Sequence, residues 1–412
     1  MKVCIFTADS NGGYPVPAVK DGAVPILIEH LVEQNSINKE CDLKVVSFYD
    51  KDAQTKAEQY NNVEFIWIKV PKILKFFDFL LFKFIKIFFK KKKASSYKTI
   101  FSLLYYISKS SKILKKETFD KVVLENNIPL ALIIKKSKYK GEYYYHLHNI
   151  PRVNMNCKSV FENCNGYLCV SDFVGNEILS SSNPIGPIDK NKIHTLYNCI
   201  DTSKFCVRND EKFCQDLRYK YNIKDDEKIL LFVGRLSYEK GIDKILEALN
   251  LISNEKFKLL IVGGLMHSSN IKDEYHNKLN DLIKDKLKDK VVFVGYVQQE
   301  NIPKYYNAAD IAIMPSMWEE PAGLTMIEAL CCGANLITTN SGGIPEYVSE
   351  YAIVLEKDDN LVKNLSVNVK KLLDKERNND NSILTSMYKK YSLDGYMKRF
   401  IKELNFENNK KN

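Results

Sequence analysis

The chain has 412 residues, 45% of them hydrophobic and 27% charged, and a formal net charge of +10. This length holds two domains with separate cores, and the composition excludes a disordered chain or a small disulfide-stapled module. Acidic residues are plentiful and much of the positive excess is local, between Lys69 and Lys116, which favours an anionic surface as partner over nucleic acid.

The apolar run from Lys2 to Thr7 predicts a core strand leading into Asp9-Ser10-Asn11-Gly12-Gly13. A strand running into a Gly-rich loop is the usual opening of an α/β domain. It lacks the charged region and cleavage site of a signal peptide, so a cytoplasmic protein is expected. A helix follows from about Ala23 to Gln34, then strands at Leu43 to Phe48 and Val63 to Val70. Asp50-Lys51-Asp52, the only Asp-x-Asp, reads as a solvated loop rather than a metal holder. Further strands are expected at Val122 to Leu124, Tyr143 to Leu147 and Tyr167 to Val170, the last ending in Ser171 as N-cap of the next helix.

From Thr195 to Asp201 the texture suggests a crossing strand and a turn, then a polar linker through Asp226. A second series of buried strands begins at Ile229 to Val233. It continues with Leu259 to Val262, Val291 to Val294, Ile311 to Met314 and Asn335 to Thr338, with helix-like stretches between. Such alternation implies parallel sheets. The expected architecture is α/β: two Rossmann-like, doubly wound domains facing across a ligand-binding cleft, residues 1–200 and 201–390. Residues 391–412 form a C-terminal helix and polar tail expected to pack back on the first domain. The ten cysteines form no Cys-x-x-Cys pair and no zinc-ligand spacing, so buried free thiols in a reducing compartment are expected.

The densest chemistry lies in Trp318-Glu319-Glu320-Pro321-Ala322-Gly323-Leu324-Thr325-Met326-Ile327-Glu328. Eight residues separate Glu320 from Glu328, so a helix starting between them sets them at different heights, with free backbone N–H groups at its start. Carboxylates accept bonds from sugar hydroxyls and a helix N-terminus attracts anions. A sugar nucleotide, with hydroxyls at both ends and phosphates between, fits this pattern; two solvated glutamates beside an N-cap is the plain reading. Val233-Gly234-Arg235-Leu236-Ser237-Tyr238-Glu239-Lys240-Gly241 follows the first strand of the second domain. Arg235 and Lys240 bring two cations near one place, as stabilisation of a departing diphosphate requires. No Gly-x-Gly-x-x-Gly follows a strand, which argues against a dinucleotide cofactor.

These motifs together resemble the retaining glycosyltransferases of family 4, the glycosyl transferases of group 1, which share the two-domain GT-B fold. Tyr305-Tyr306-Asn307-Ala308-Ala309-Asp310, Pro315-Ser316 and Gly342-Gly343-Ile344-Pro345-Glu346 extend the likeness. The resemblance implies that Arg235 and Lys240 bind the donor diphosphate, that Glu320 contacts the transferred sugar and that Glu328 holds the nucleotide ribose. It also implies that the amides of Ala322, Gly323 and Leu324 meet the donor. Ala322 stands where the family often has Phe, which leaves the sugar's identity open. In the first domain, Val16 to Val24 resembles the family's Gly-rich loop, with Asp21 in place of one glycine. Gly22 would approach diphosphate and acceptor closely or simply turn the chain. His148, at a strand end, corresponds to a family histidine near the reacting sugar, or else caps or packs. His146 lies deeper and reads as structural, and Glu125-Asn126-Asn127 is a candidate acceptor contact.

Residues 72–93 are a separate feature. Apolar residues from Ile73 to Phe89 are interrupted by Lys72, Lys75, Lys83, Lys86 and Lys90. At about 100° per residue the lysines fall within an arc of roughly 80°. A spanning helix is excluded by charge. An interfacial helix on an anionic membrane, aided by Lys90-Lys91-Lys92-Lys93, is one reading, and a core helix with lysines to solvent is the other.

The expectation is a retaining transferase that moves a sugar from a UDP-, GDP- or other nucleoside-diphosphate donor to a hydroxyl of a cell-surface polysaccharide or lipid-linked oligosaccharide. Neither a metal nor another cofactor is expected, and location is peripheral on the inner face of the cell membrane. Domain closure would complete the site. A sugar-nucleotide hydrolase or epimerase on the same frame, or a noncatalytic membrane-docked subunit, are the alternatives.

Overall fold

The computed structural model describes residues 1–9, 14–19, 22–88, 98–264, 271–377 and 380–405. The chain divides into two compact units, Met1–Asn198 with the C-terminal stretch from Leu393, and Cys199–Ser392.

The first unit is built on a seven-stranded sheet. Its strands are β1 (Lys2–Phe6), β2 (Asp42–Phe48), β3 (Val63–Ile68), β4 (Lys121–Glu125), β5 (Tyr143–Leu147), β6 (Gly166–Cys169) and β7 (Ile193–Thr195). Every pairing is parallel and the order is β3-β2-β1-β4-β5-β6-β7. β1 registers Phe6 against Val46 of β2 and Leu124 of β4. The order therefore reverses beside β1, and the carboxyl ends of β1 and β4 form the switch point where such sheets bind ligands. Val3, Cys4, Ile5 and Phe6 are completely buried, as a strand covered on both faces requires.

The second unit carries β8 (Lys228–Val233), β9 (Phe257–Val262), β10 (Val291–Gly295), β11 (Ile311–Met314), β12 (Asn335–Thr339) and β13 (Ile353–Leu355). They form a parallel sheet of order β10-β9-β8-β11-β12-β13, with its switch point between β8 and β11. The core joins Leu230, Phe232, Ile261 and Ile313 to helix residues such as Ile245 and Leu365.

Four helices of the first unit matter below: α1 (Ala23–Asn38), α2 (Lys51–Ala57), α3 (Lys72–Phe88) and α4 (Ile100–Lys116). Ser171 caps its helix as expected, accepting from the Val174 amide at 3.2 Å. Two expectations are corrected and one element is added. Asp50 is not in a free loop: it is the N-cap of α2, accepting from the amides of Asp52 and Ala53 at 3.0 and 3.3 Å. The crossing strand expected from Thr195 is β7, which stops there, because pairing with β6 ends at Cys169. β13 was not anticipated, since a three-residue strand leaves almost no periodicity to read. The cysteines are free thiols, eight of them buried.

α3 does not behave as a core helix. Ile73, Phe76, Phe77, Phe79, Leu80, Phe84 and Ile87 are exposed, at 44–66% of their surface. Among the described residues its one deeply buried side chain is Asp78, which accepts from the amides of Phe101 and Ser102 at 2.7 and 3.1 Å. Thr99 gives α4 no side-chain cap, so Asp78 satisfies that helix start from another element, a contact worth about 1 kcal/mol. Phe89 and Lys90 to Lys93, and likewise Ser10 to Gly13, Asp21 and the end of the tail, lie outside the described residues.

Candidate functional site

In the second unit the chain leaves β8 at Gly234 and reaches Lys240 at the end of a single 3-10 turn, Tyr238–Lys240. Arg235, on the way, is exposed. This loop is fastened to the one leaving β11, on the other side of the switch point. The Met317 amide donates to the Glu239 carbonyl at 2.8 Å, and Ser316 Oγ lies 3.3 Å from the same carbonyl oxygen. The approach needs Gly241: its φ is 66°, and a Cβ there would stand 2.2 Å from the Pro315 carbonyl oxygen.

The fastening brings Lys240 Nζ onto Glu320 Oε1, with side chains 25% and 14% exposed. Ser316 Oγ donates to the same Glu320 oxygen at 3.0 Å. The strand-end loop of β12 holds the backbone of this segment. The Gly343 amide donates to the Glu320 carbonyl at 2.7 Å. The Gly342 amide donates to Glu319 Oε2 at 2.5 Å, and Lys357 pairs with the other oxygen. The Lys357 hydrogen bond, foremost, holds the Glu319 carboxyl below its ordinary range. Glu320 thus sits on a framed loop, pre-paired with a cation.

Ala322 and Gly323 lead into the helix Leu324–Cys331, whose N-cap is Gly323 and whose first turn carries neither a side-chain cap nor an acidic residue. An uncapped N-terminus of this kind has amides to offer an anion. Glu328 is on that helix, where Tyr306 Oη, from the helix Ile302–Ala308, donates to Oε2 at 3.4 Å. Burial pushes the Glu328 carboxyl up to about 8, against the opposing effect of that hydrogen bond. The free protein therefore holds this carboxyl largely protonated near pH 7.

The first unit carries Gly22 and His148. Gly22 precedes α1, which has no side-chain cap. Its backbone is extended (φ 164°), and a Cβ would meet Pro25 and Tyr14 only at 3.4 Å or more, so the turn itself does not demand glycine. His148 is just past β5. Its amide donates to Asn126 Oδ1 at 3.0 Å, and its Nε2 lies 3.2 Å from Glu125 Oε2. His146 Nδ1 lies 3.1 Å from that same oxygen, and the two rings are 4.1 Å apart. His146, read from the sequence as structural, is buried and shares one carboxylate with His148. Glu125 does not offer an acceptor contact, for its side chain is 0% exposed beneath the rings. Burial would raise the Glu125 carboxyl, but His146 and then His148 outweigh it and hold it at about 2. Burial first, and His146 second, push His148 down to about 4. These three residues are the one group among the described residues whose ligand atoms, all within 4.8 Å, could hold a metal. Each contact is also an ordinary hydrogen bond that orients the rings.

Lys240 with Glu320 are brought together directly; Ala322, Gly323, Leu324 and Glu328 follow on one loop and helix; Arg235 shares the loop of Lys240. Ser316, Tyr306 and Glu319 stand in motifs the sequence reading quoted but gave no role, and Lys357 escaped it; their contacts span 4 to 38 residues.

Residues 215–390 match the family model for glycosyl transferases group 1. Spore coat protein SA of Bacillus subtilis is 25% identical over 364 residues, 85% of this chain and 84% of that protein. An uncharacterized glycosyltransferase of Methanocaldococcus jannaschii is 31% identical over 191 residues, 46% of each chain. The lipopolysaccharide 1,2-N-acetylglucosaminetransferase of Salmonella typhimurium is 29% identical over 210 residues, 48% of this chain and 54% of its own. The chain thus spans about half the length of several curated relatives it matches. Among solved structures, Anabaena Alr3699/HepE in complex with UDP aligns with TM-score 0.69 and 14% identity, covering 98% of this chain and all of its own. A glycosyltransferase from Rickettsia africae aligns with TM-score 0.70 and 17% identity, covering 98% and 97%. The fold is that of the GT-B glycosyltransferases, and the sequence matches support a transferase of that kind.

Proposed function

We propose that the chain is a retaining glycosyltransferase of family 4 that takes a sugar from a nucleoside diphosphate and passes it to a hydroxyl of a glycan or lipid-linked glycan. The observation that carries this reading is the Lys240–Glu320 pair at the switch point, followed by an uncapped helix start and Glu328. Negative charge grows on the diphosphate as its bond to the sugar breaks. Lys240 and Arg235 meet that charge, and the amides of Ala322, Gly323 and Leu324 face the phosphates. Lys240 leaves or shares Glu320 when the donor arrives, which frees that carboxylate to accept from the sugar's hydroxyls. Glu328 accepts from the ribose. Attack on the face the phosphate leaves from gives retention, with a phosphate oxygen taking the acceptor proton, so no side-chain nucleophile is needed. Gly22 and His148 belong to the acceptor side, where the neutral imidazole offers a hydrogen bond.

The names of relatives support this reading: one is a lipopolysaccharide N-acetylglucosaminetransferase and one structural neighbour was solved with UDP. The exposed apolar side of α3 beside its lysines favours attachment to an anionic membrane. The test is product analysis with a panel of nucleotide sugars and membrane extract. Transfer gives a new glycoside only when acceptor is present, whereas a hydrolase or epimerase consumes or converts donor without it. Lys240→Ala and Glu320→Ala should each cut transfer at least tenfold, or about 1.4 kcal/mol. Near-wild-type rates in both would remove the assignment.

A further inference from the structure

A cavity of about 880 Å³ lies beside α3, lined by residues of the first unit. Phe48, Ile68 and Val70, from the ends of β2 and β3, form one wall, and Phe79 and Phe82 of α3 form another. The volume is that of a pocket for a whole small molecule. Lys75, Lys83, Lys86 and Lys98 also line it. Two carboxylates share the lining, but both are committed elsewhere: Asp50 to the start of α2 and Asp78 to the start of α4. The cavity therefore pairs apolar walls with four cations whose charge those carboxylates only partly offset. Phe79 and Ile87 belong to its lining and are also 51% and 66% exposed, so it opens to the surface along the lysine stripe of α3.

We propose that this cavity binds a single anionic lipid, its hydrocarbon chain between the aromatic walls and its phosphate among the four lysines. A soluble phosphate would leave the apolar volume unfilled, and a neutral chain would leave the four lysines, all exposed at its mouth, without a counter-charge. The proposal goes beyond surface attachment, which needs charge and an exposed apolar face but no cavity. It is also independent of the donor site in the second unit.

Native mass spectrometry and calorimetry on the full chain, with dodecyl phosphate, dodecanol and inorganic phosphate as probes, test it. One dodecyl phosphate per chain is expected, at least tenfold tighter than dodecanol, with inorganic phosphate failing to compete. Val70→Trp, which sets an indole into the cavity wall, and Phe79→Asp, at an exposed position that tolerates polarity, should each weaken dodecyl phosphate at least tenfold. Val70→Trp should still bind phosphatidylglycerol vesicles. Dodecanol or inorganic phosphate binding as tightly as dodecyl phosphate would overturn the proposal, as would undiminished binding in both variants. Donor binding is measured alongside, so that a failure here is separable from a failure of the transferase reading.

Discussion

Replacing Glu328 by Gln should stabilise the free protein by an amount that grows with pH. Burial carries this carboxyl from its ordinary 4.5 to about 8. Below pH 4.5 the acid is protonated whether the chain is folded or unfolded, and it brings no penalty. As pH rises from there through 8, the unfolded chain gives up its proton first, so stability falls. With about 1.4 kcal/mol for each tenfold step, the loss amounts to ~1 kcal/mol at pH 5, ~3 kcal/mol at pH 7 and nearly ~5 kcal/mol at pH 9. Gln keeps an acceptor for Tyr306 and carries no charge. The assay is urea unfolding of wild type and Glu328→Gln at pH 5, 7 and 9, following the second unit. The gap between them should widen by about 4 kcal/mol across the range. A gap that stays constant within about 1 kcal/mol would refute the reasoning. The same protonation makes donor binding release close to one proton at pH 7, if the ribose is held by the carboxylate.

Gly342→Ala places a Cβ 2.3 Å from the Glu320 carbonyl oxygen at a φ of 57°. It should destabilise the second unit by roughly 1–3 kcal/mol and weaken donor binding, and an unchanged thermal midpoint would contradict this. His148, held down near 4, should remain neutral from pH 5.5 to 8. An imidazole NMR titration, assigned with His148→Gln, should show no transition there, and a transition near 6.5 would count against the buried cluster. Changing Lys75, Lys83 and Lys86 to Glu should release the protein from anionic vesicles, read by co-sedimentation. Binding at wild-type levels would show that these lysines do not attach it.

The central strands of both sheets were legible because they are apolar runs buried on two faces, as in Ile311–Met314, which begins and ends where its residues predict, whereas the three-residue strands β7 and β13 were not. The loop chemistry was partly legible. Glu320, Lys240 and Glu328 stand out through local motifs, whereas Ser316, Glu319 and Lys357 matter only because β8, β11 and β12 end side by side. The histidine cluster shows the limit most clearly. Alternation along β5 places His146 and His148 on one side, but Glu125 joins them only because β4 pairs with β5 and sets Glu125 against His146. Asp78 escaped notice for a similar reason: a lone acid in an apolar, lysine-rich helix reads as a solvated charge until α4 is seen to begin above it. The exposed apolar residues of α3 were legible by composition, but the cavity depends on how α3 lies against the ends of β2 and β3.

The most direct test is calorimetric titration of the protein with UDP-glucose and a panel of other nucleoside-diphosphate sugars, repeated with Arg235→Ala and Lys240→Ala. At least one should bind with a dissociation constant between about 1 μM and 1 mM, the usual span for enzyme substrates, and each substitution should weaken it at least tenfold. No detectable affinity for any of them, or affinity indifferent to both substitutions, would contradict the claim that the second unit grips an activated sugar by its diphosphate.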